Sequence, residues 1–580
     1  FECYAGHHCA GTQPFERYGR DGHERSDEEF MRTYEGIDIC VMDETVKDFL
    51  FDLKAVMQLA EVLPDNNFMR GKARNALERV FTVLVQYPAH VPEEVWREGV
   101  IKAREILAEV LSVHGSDGQR GRVGVIGHSH MDTAWLWPVA ETIRKCARTY
   151  SNALTLMKQY PEYKFVQPSV LHLDWMRRYY PDIFEEIKKQ VAAGRYEPNG
   201  GVWVECDCNI PSGESMVRQF LHGQLYTRKY MNYEADSFWL PDTFGYNAAI
   251  PQIMKGCNVK YFYTQKISWG DLTSFPYDTF IWRGIDGTEV LTHFNRMHCS
   301  PDVKTVVEAV NEIRRKEVYD GRLVAFGFGD GGGGPTYGMI EDARRVAGLA
   351  GVPELFYCTI SEFMQDIEKN ATNLPVYSGE LYLETHRGTL TSMHNVKRDN
   401  RKAEFALRDM EFLGVAAGKP KHERADELLE VLLINQFHDI LPGSSINEVY
   451  VQTKQEMDKL IYDLKAIAGE YAAELTEPCD KSYTFFNTLS FGRSDNIYIE
   501  NFEGGLEGAK VQHVTDIMGR KLAVVGGVEL DAFGAKTLTV TDKPCDSCES
   551  PFKFDGTTLE TPHLVVKFGE GCGIESLVYK

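Results

Sequence analysis

Between residues 123 and 358, short apolar runs repeatedly give way to stretches of helical spacing, and this alternation constrains the fold more than any other feature of the chain. The runs are VGVIG (123–127), YKFVQ (163–167), GVWVE (201–205), SFWL (237–240), KYFYT (260–264), LVAFG (323–327) and ELFYC (354–358). Segments such as VAETIRKCARTYSNALTLMKQY, GESMVRQFLHGQLYTRKYM and YGMIEDARRVAGLA lie between them. Strand, helix, strand in repetition predicts a mainly parallel sheet, open or closed into a barrel, and periodicity alone does not choose between the two.

The flanks have a different texture. Residues 1 to about 120 hold three amphipathic patterns, ETVKDFLFDLKAVMQLAEVL, NNFMRGKARNALERVFTVLVQY and PEEVWREGVIKAREILAEVLSV, which predict a helical N-terminal region ending at the turn-rich HGSDGQRGR. From about 380 to 476, NVKRDNRKAEFALRDMEFLGVAA, ERADELLEVLLINQFHDI and NEVYVQTKQEMDKLIYDLKAIAGEYAAEL predict a three-helix bundle, with Pro442 and Gly443 breaking the last connection. From Ser482, alternating runs such as YTFFNTLS, NIYIE, KTLTVT and PHLVVKF predict an antiparallel β domain. The expected division is 1–120, 121–378, 379–478 and a partial unit 479–580, in line with about four domains for 580 residues.

Charge removes several function classes. With 63 Lys+Arg against 85 Asp+Glu, the net charge of −22 disfavours nucleic acid and anionic membranes as partners. No apolar stretch is long enough to span a bilayer, and the first residues lack a basic segment followed by an apolar one. The chain begins at Phe1 and ends at Lys580 just after LVVKF, so both ends are expected to be cut from something longer. Thirteen irregularly spaced cysteines argue against a disulfide framework and for a reduced, cytoplasmic compartment. The one close pair, Cys545/Cys548, lacks the second pair that four-ligand zinc requires.

Chemistry-bearing side chains gather at strand ends. VGVIG runs into HSHMDTAWLW, which puts His128, His130 and Asp132 in one loop at a strand's C-terminal end, where parallel α/β folds place their sites. His130 and Asp132 sit at alternate positions and can ligate one metal ion through nitrogen and oxygen donors, a set suited to zinc or another divalent transition metal. SFWL is followed by PDTFG with Asp242, and LVAFG by FGDGGGGPT with Asp330. Taken alone, Asp242 reads as a cap of the next helix; as a third carboxylate at the same rim it could complete a metal shell or attack a substrate. The glycines after Asp330 allow close backbone approach to a ligand, but a P-loop Lys-Ser/Thr is missing, so Asp330 reads as a carboxylate facing substrate. His438 and Asp439 close an apolar helical stretch, and spacing leaves open whether His438 is a ligand or a satisfied core residue.

Together, HSHMDTAW, LPDTFGYNAAIP, GDGGGGPT and NQFHDILPGSS resemble the signature segments of the α-mannosidases of glycoside hydrolase family 38, in the family's order. GVWVECDCNIPSGESMVRQ and GELYLETHRGTLTS are similar to its bacterial and cytosolic branch. The resemblance covers about residues 120 to 500. It implies a multidomain α/β fold, a seven-stranded β/α barrel followed by a three-helix bundle and β domains. It also implies a metal shell of His130, Asp132, Asp242 and His438, with zinc expected and cobalt or manganese as alternatives. His128 is not a ligand in the family. Asp242 would act both as ligand and as the nucleophile of a glycosyl-enzyme intermediate. Trp135, Phe244 and Asp439 match sugar-contacting positions, and Lys266 falls where some relatives carry an arginine. Golgi-type relatives have two adjacent aspartates where this chain has Asp330 followed by Gly331, which leaves Asp330 as the candidate general acid.

The implied partner is an α-mannoside oligosaccharide or glycan, with a homo-oligomer left open. Two rival readings remain at this level. A metal-dependent amidohydrolase or polysaccharide deacetylase would explain His130 and Asp132 but leaves LPDTFGY and GDGGGG without a role. A catalytically silent carbohydrate-binding protein on the same fold is at odds with the intact candidate ligands.

Overall fold

The computed structural model describes residues 41–115, 121–477, 479–542 and 550–580. The Cys545/Cys548 pair and most of the segment before the first helix lie outside them. Within the expected N-terminal region, the described residues form three helices, α1 (Glu44–Val62), α2 (Phe68–Val83) and α3 (Glu93–Leu111). Asp43 and Asn67 cap α1 and α2 by accepting a backbone N–H, while Pro92 sits at the cap of α3, one position before its first turn.

The central region carries β1 (Arg122–His128), β2 (Phe165–Val166), β3 (Tyr196–Glu197), β4 (Ser237–Trp239), β5 (Tyr261–Thr264), β6 (Thr279–Arg283), β7 (Glu289–Phe294), β8 (Arg296–Met297), β9 (Gly321–Phe326), β10 (Glu354–Tyr357) and β11 (Val376–Ser378). They pair as two sheets. One is parallel throughout, in the order β3-β2-β1-β9-β8 with β10 also on β1. The other runs β11-β6-β7-β5-β4, parallel except for the β6–β7 hairpin. Among the described residues no ladder joins the two sheets, so the strands are not hydrogen-bonded into one closed ring. Val123, Val125 and Ile126 on β1 and every residue of β9 are buried, the pattern of strands covered on both faces.

Two expectations need correction. GVWVE forms no strand: Val202 makes a single bridge to Ser169, and Tyr196–Glu197 takes the strand position beside β2. The apolar run is buried not in a ladder but against the helix Gly213–Met231, where the Trp203 ring meets His222 and Tyr226 and Gln219 accepts the N–H groups of Trp203 and Val204. ERADELLEVLLINQFHDI is helical only over Ala425–Ile434, and the chain then proceeds through turns to Gly443. Two long helices, His394–Ala416 and Asn447–Glu474, pack with it on a shared core. Antiparallel sheets follow from Ser482.

The N-terminal helices dock on the α/β region through charge as well as apolar packing. Arg345, in the helix Tyr337–Val346, reaches Asp48 at 3.0 Å and Asp52 at 3.1 Å on α1, and Lys54 reaches Asp342 at 2.7 Å.

Candidate active site

Five loops leaving strand C-termini meet at one cavity of about 750 Å³. Asp132 and Trp135 follow β1, Asp242 and Phe244 follow β4, Lys266 follows β5, His298 follows β8 and Asp330 follows β9; Asp439 enters from the turns after Ile434. A parallel sheet gathers loops this way because all its strands end on the same side.

Local sequence fixes each loop. Gly327 has φ +138°, and a Cβ there would lie 2.1 Å from the carbonyl oxygen of His128, so only glycine lets the exit of β9 lie against the exit of β1. Gly332, Gly333 and Gly334 all have positive φ and turn the loop back so that Phe328 and Gly334 exchange two backbone hydrogen bonds. The glycine run thus builds a tight turn packed on Thr149 rather than a ligand cradle, and it presents Asp330 near its tip. Asp330 itself has φ +59°, and its carbonyl accepts the N–H of Asp132 at 2.9 Å. The turns after Ile434 are pinned to the β1 loop, with Ile446 donating to the Trp135 carbonyl at 2.8 Å.

His130, Asp132, Asp242 and His438 form a compact cluster whose ligand atoms all lie within 4.8 Å of one another. Oδ1 of Asp132 is 3.0 Å from Nε2 of His130 and 3.3 Å from Nε2 of His438, and Oδ2 of Asp242 is 3.8 Å from the latter. Nε2 of His438 is fully buried without a hydrogen-bond partner, an arrangement that a cation would satisfy. Two imidazoles and two carboxylates fit a divalent transition metal. In the metal-free protein burial opposes charge on His438, but Asp132, Asp439 and Asp242 outweigh it and hold its pKa at about 9. Such a concentration of negative potential around a histidine favours a bound cation.

Lys266 donates to Oδ1 of Asp242 at 2.5 Å, and its ammonium lies 4.0 Å from the Trp269 ring centroid and 5.1 Å from that of Phe244. Asp439 is buried, accepts from Ser444 at 2.6 Å, and is pushed well above the usual carboxylate range by burial and by Asp132. Asp330 is half exposed to the cavity, with Oδ1 3.8 Å from Nε2 of His298; the surrounding walls and then Asp132 raise its pKa. Trp135 sits on the cavity wall, edge-on to Trp137. His128 is outside the cluster: its Nδ1 meets the Val166 carbonyl, and burial keeps it neutral.

Sequence reasoning missed four residues. His298 follows β8 and was findable by the strand-end rule. Trp269 and His386 also line the cavity; His386 stands in the segment GELYLETHRGTLTS, whose resemblance to the family's branch pointed to no particular residue. Glu205 lies behind the cluster, its carboxylate 3.1 Å from Nδ1 of His130.

The chain belongs to glycoside hydrolase family 38: residues 120–380 match the glycosyl hydrolases family 38 N-terminal domain, and residues 384–475 match the alpha mannosidase middle domain. Among curated proteins it is 34% identical over 468 residues to alpha-mannosidase 2C1 of Mus musculus, across 79% of this chain and 44% of that protein. It is 39% identical over 375 residues to alpha-mannosidase G of Dictyostelium discoideum, across 63% of this chain and 34% of that protein. The chain therefore spans less than half the length of these relatives. An alpha-mannosidase of Enterococcus faecalis V583 shares the fold with a TM-score of 0.64 at 18% identity, over 79% of this chain and 61% of that one.

Proposed function

We propose that this chain carries the reaction centre of a retaining, exo-acting α-mannosidase that removes terminal α-linked mannose from oligosaccharides or glycans. The observation that carries the reading is the convergence of His130, Asp132, Asp242 and His438 with Asp330 on one cavity in a family 38 chain. The deacetylase reading gains nothing from the family matches.

The Asp242 carboxylate, held by the Lys266 ammonium, attacks C1 of the mannose as the bond from C1 to the leaving oxygen breaks. Asp330, whose raised pKa favours the protonated form, gives its proton to that oxygen. Asp330 then takes a proton from water as the water attacks C1, which releases Asp242. Trp135 and Phe244 offer apolar faces to the sugar ring, and Asp439 accepts hydroxyl hydrogen bonds. His130, Asp132, Asp242 and His438 would hold a divalent ion, zinc proposed over cobalt or manganese, which would supply Lewis-acid chemistry toward the sugar's hydroxyl groups.

The same reading keeps the division 1–120, 121–378, 379–478 and 479–580, with the two-sheet α/β region 121–378 as the catalytic unit. A cytoplasmic setting is supported by seven free cysteines among the described residues, four of them buried. Among those residues no helix is long and apolar enough to cross a membrane.

The test is hydrolysis of an aryl α-mannoside, with the anomer released first read by NMR. Wild type should release α-mannose, and Asp242→Ala should lose at least about 10³-fold in kcat. First release of β-mannose, or substantial turnover by the variant, would overturn the assignment.

A further inference from the structure

Of the buried ionisable groups that take no part in the proposed reaction, Glu205 has the least ordinary surroundings. It is 1% exposed, and neither carboxylate oxygen accepts a hydrogen bond from an amide or hydroxyl. A buried carboxylate left in this way is strongly disfavoured unless a donor or cation faces it. What faces it is Nδ1 of His130, 3.1 Å from Oε2, and that nitrogen has no other partner. The main-chain carbonyl of the same residue accepts the backbone N–H of His438 at 3.1 Å and lies 2.8 Å from Nδ1 of His438.

One residue therefore addresses the rear nitrogens of both histidines, while their Nε2 atoms both point at Oδ1 of Asp132. A proton on each Nδ1 leaves each Nε2 with a free lone pair, which is the tautomer that binds metal. A carboxylate behind an imidazole also makes that ligand more basic than a carbonyl does.

We propose that Glu205 is the positioning residue of the metal centre, its carboxylate fixing the tautomer and basicity of His130 and its carbonyl fixing the ring of His438. This rests on reading His130, Asp132, Asp242 and His438 as metal ligands. The two contacts are separable, because substituting the side chain removes the carboxylate from His130 and leaves the carbonyl on His438.

The experiment uses the full chain, stripped of metal with a chelator and titrated with zinc against a chromophoric competitor. Wild type should bind one zinc per chain. Glu205→Gln should bind about 10- to 100-fold more weakly, while the melting midpoint of the metal-free protein does not fall. Loaded with cobalt instead, the variant should show shifted visible d–d bands, because the His130 ring is no longer held. Equal zinc affinity in the two proteins overturns the proposal. Failure of wild type to bind one zinc overturns instead the ligand reading beneath it. If Glu205→Gln does not fold, Glu205→Asp keeps the charge but withdraws it from His130; weaker zinc binding is again expected, and wild-type affinity overturns the proposal.

Discussion

Two carboxyls show how surroundings assign roles to the same chemical group. Asp330 stands on the cavity wall in a left-handed conformation, which aspartate adopts more readily than most non-glycine residues. In the proposed acid role its proton matters most where the leaving oxygen is a poor one. Asp330→Ala should therefore lose far more kcat/KM on an α-mannobiose than on an activated aryl mannoside, and equal loss on both would count against the acid role. Glu197, on β3, is buried and accepts hydrogen bonds from the Ile360 and Ser361 amides at the start of the helix Ile360–Asn370. Burial pushes its pKa up to about 7, with nearby Asp236 adding to the effect. Above the unfolded value near 4.5 the native protein binds the proton more tightly than the unfolded chain does. Stability therefore falls as pH rises from about 4.5 to 7, by about 3 kcal/mol. Glu197→Gln should flatten that part of a melting-temperature profile, and an unchanged slope would show that other groups dominate it.

At the scale of elements, the cavity wall depends on one loop bracing another. Glu384 accepts the backbone N–H groups of Asp271, Leu272 and Thr273 at 3.0, 2.7 and 2.9 Å, and Thr385 bonds the Trp269 carbonyl. These contacts hold the segment that begins at Lys266 and carries Trp269. Glu384→Ala should raise KM severalfold with a smaller effect on kcat, and a change confined to kcat would exclude a bracing role.

Elements also show where sequence reading stops. His130, Asp132, Asp242 and Asp330 were legible because each directly follows an apolar strand, and parallel topology sends all such ends to one rim. His438 was not legible from spacing, because the apolar pattern runs on past Ile434 although the chain has left the helix. It entered only through the family's motif. Glu205 lies inside the branch-like segment GVWVECDCNIPSGESMVRQ, but its role is not legible there, because it depends on a carboxylate and a carbonyl that meet histidines from two distant segments.

Across the whole molecule, α1 to α3 and the α/β region share one apolar core, closed at its edge by Arg345 between Asp48 and Asp52. Arg345 and Asp52 are mostly buried, so removing the guanidinium alone strands charge in a poorly solvated place. Arg345→Leu should destabilise the docking of α1 by about 3 kcal/mol. Hydrogen exchange should then accelerate across Glu44–Val62 while β1 stays protected, and uniform acceleration would mean that the two regions unfold as one unit.

The distance along the chain between the two cluster histidines has a consequence for how the protein is made. His438 is synthesised about 300 residues after His130. At ordinary elongation rates that interval lasts about 15 to 60 s. Before that point a nascent chain can present at most His130, Asp132 and Asp242, the last made about 110 residues after His130, and Glu205 has no His438 to meet. On the proposed ligand set, full-strength capture of an ion would wait until residue 438 has left the ribosome, which would make metal loading a late event in biogenesis, timed by chain length.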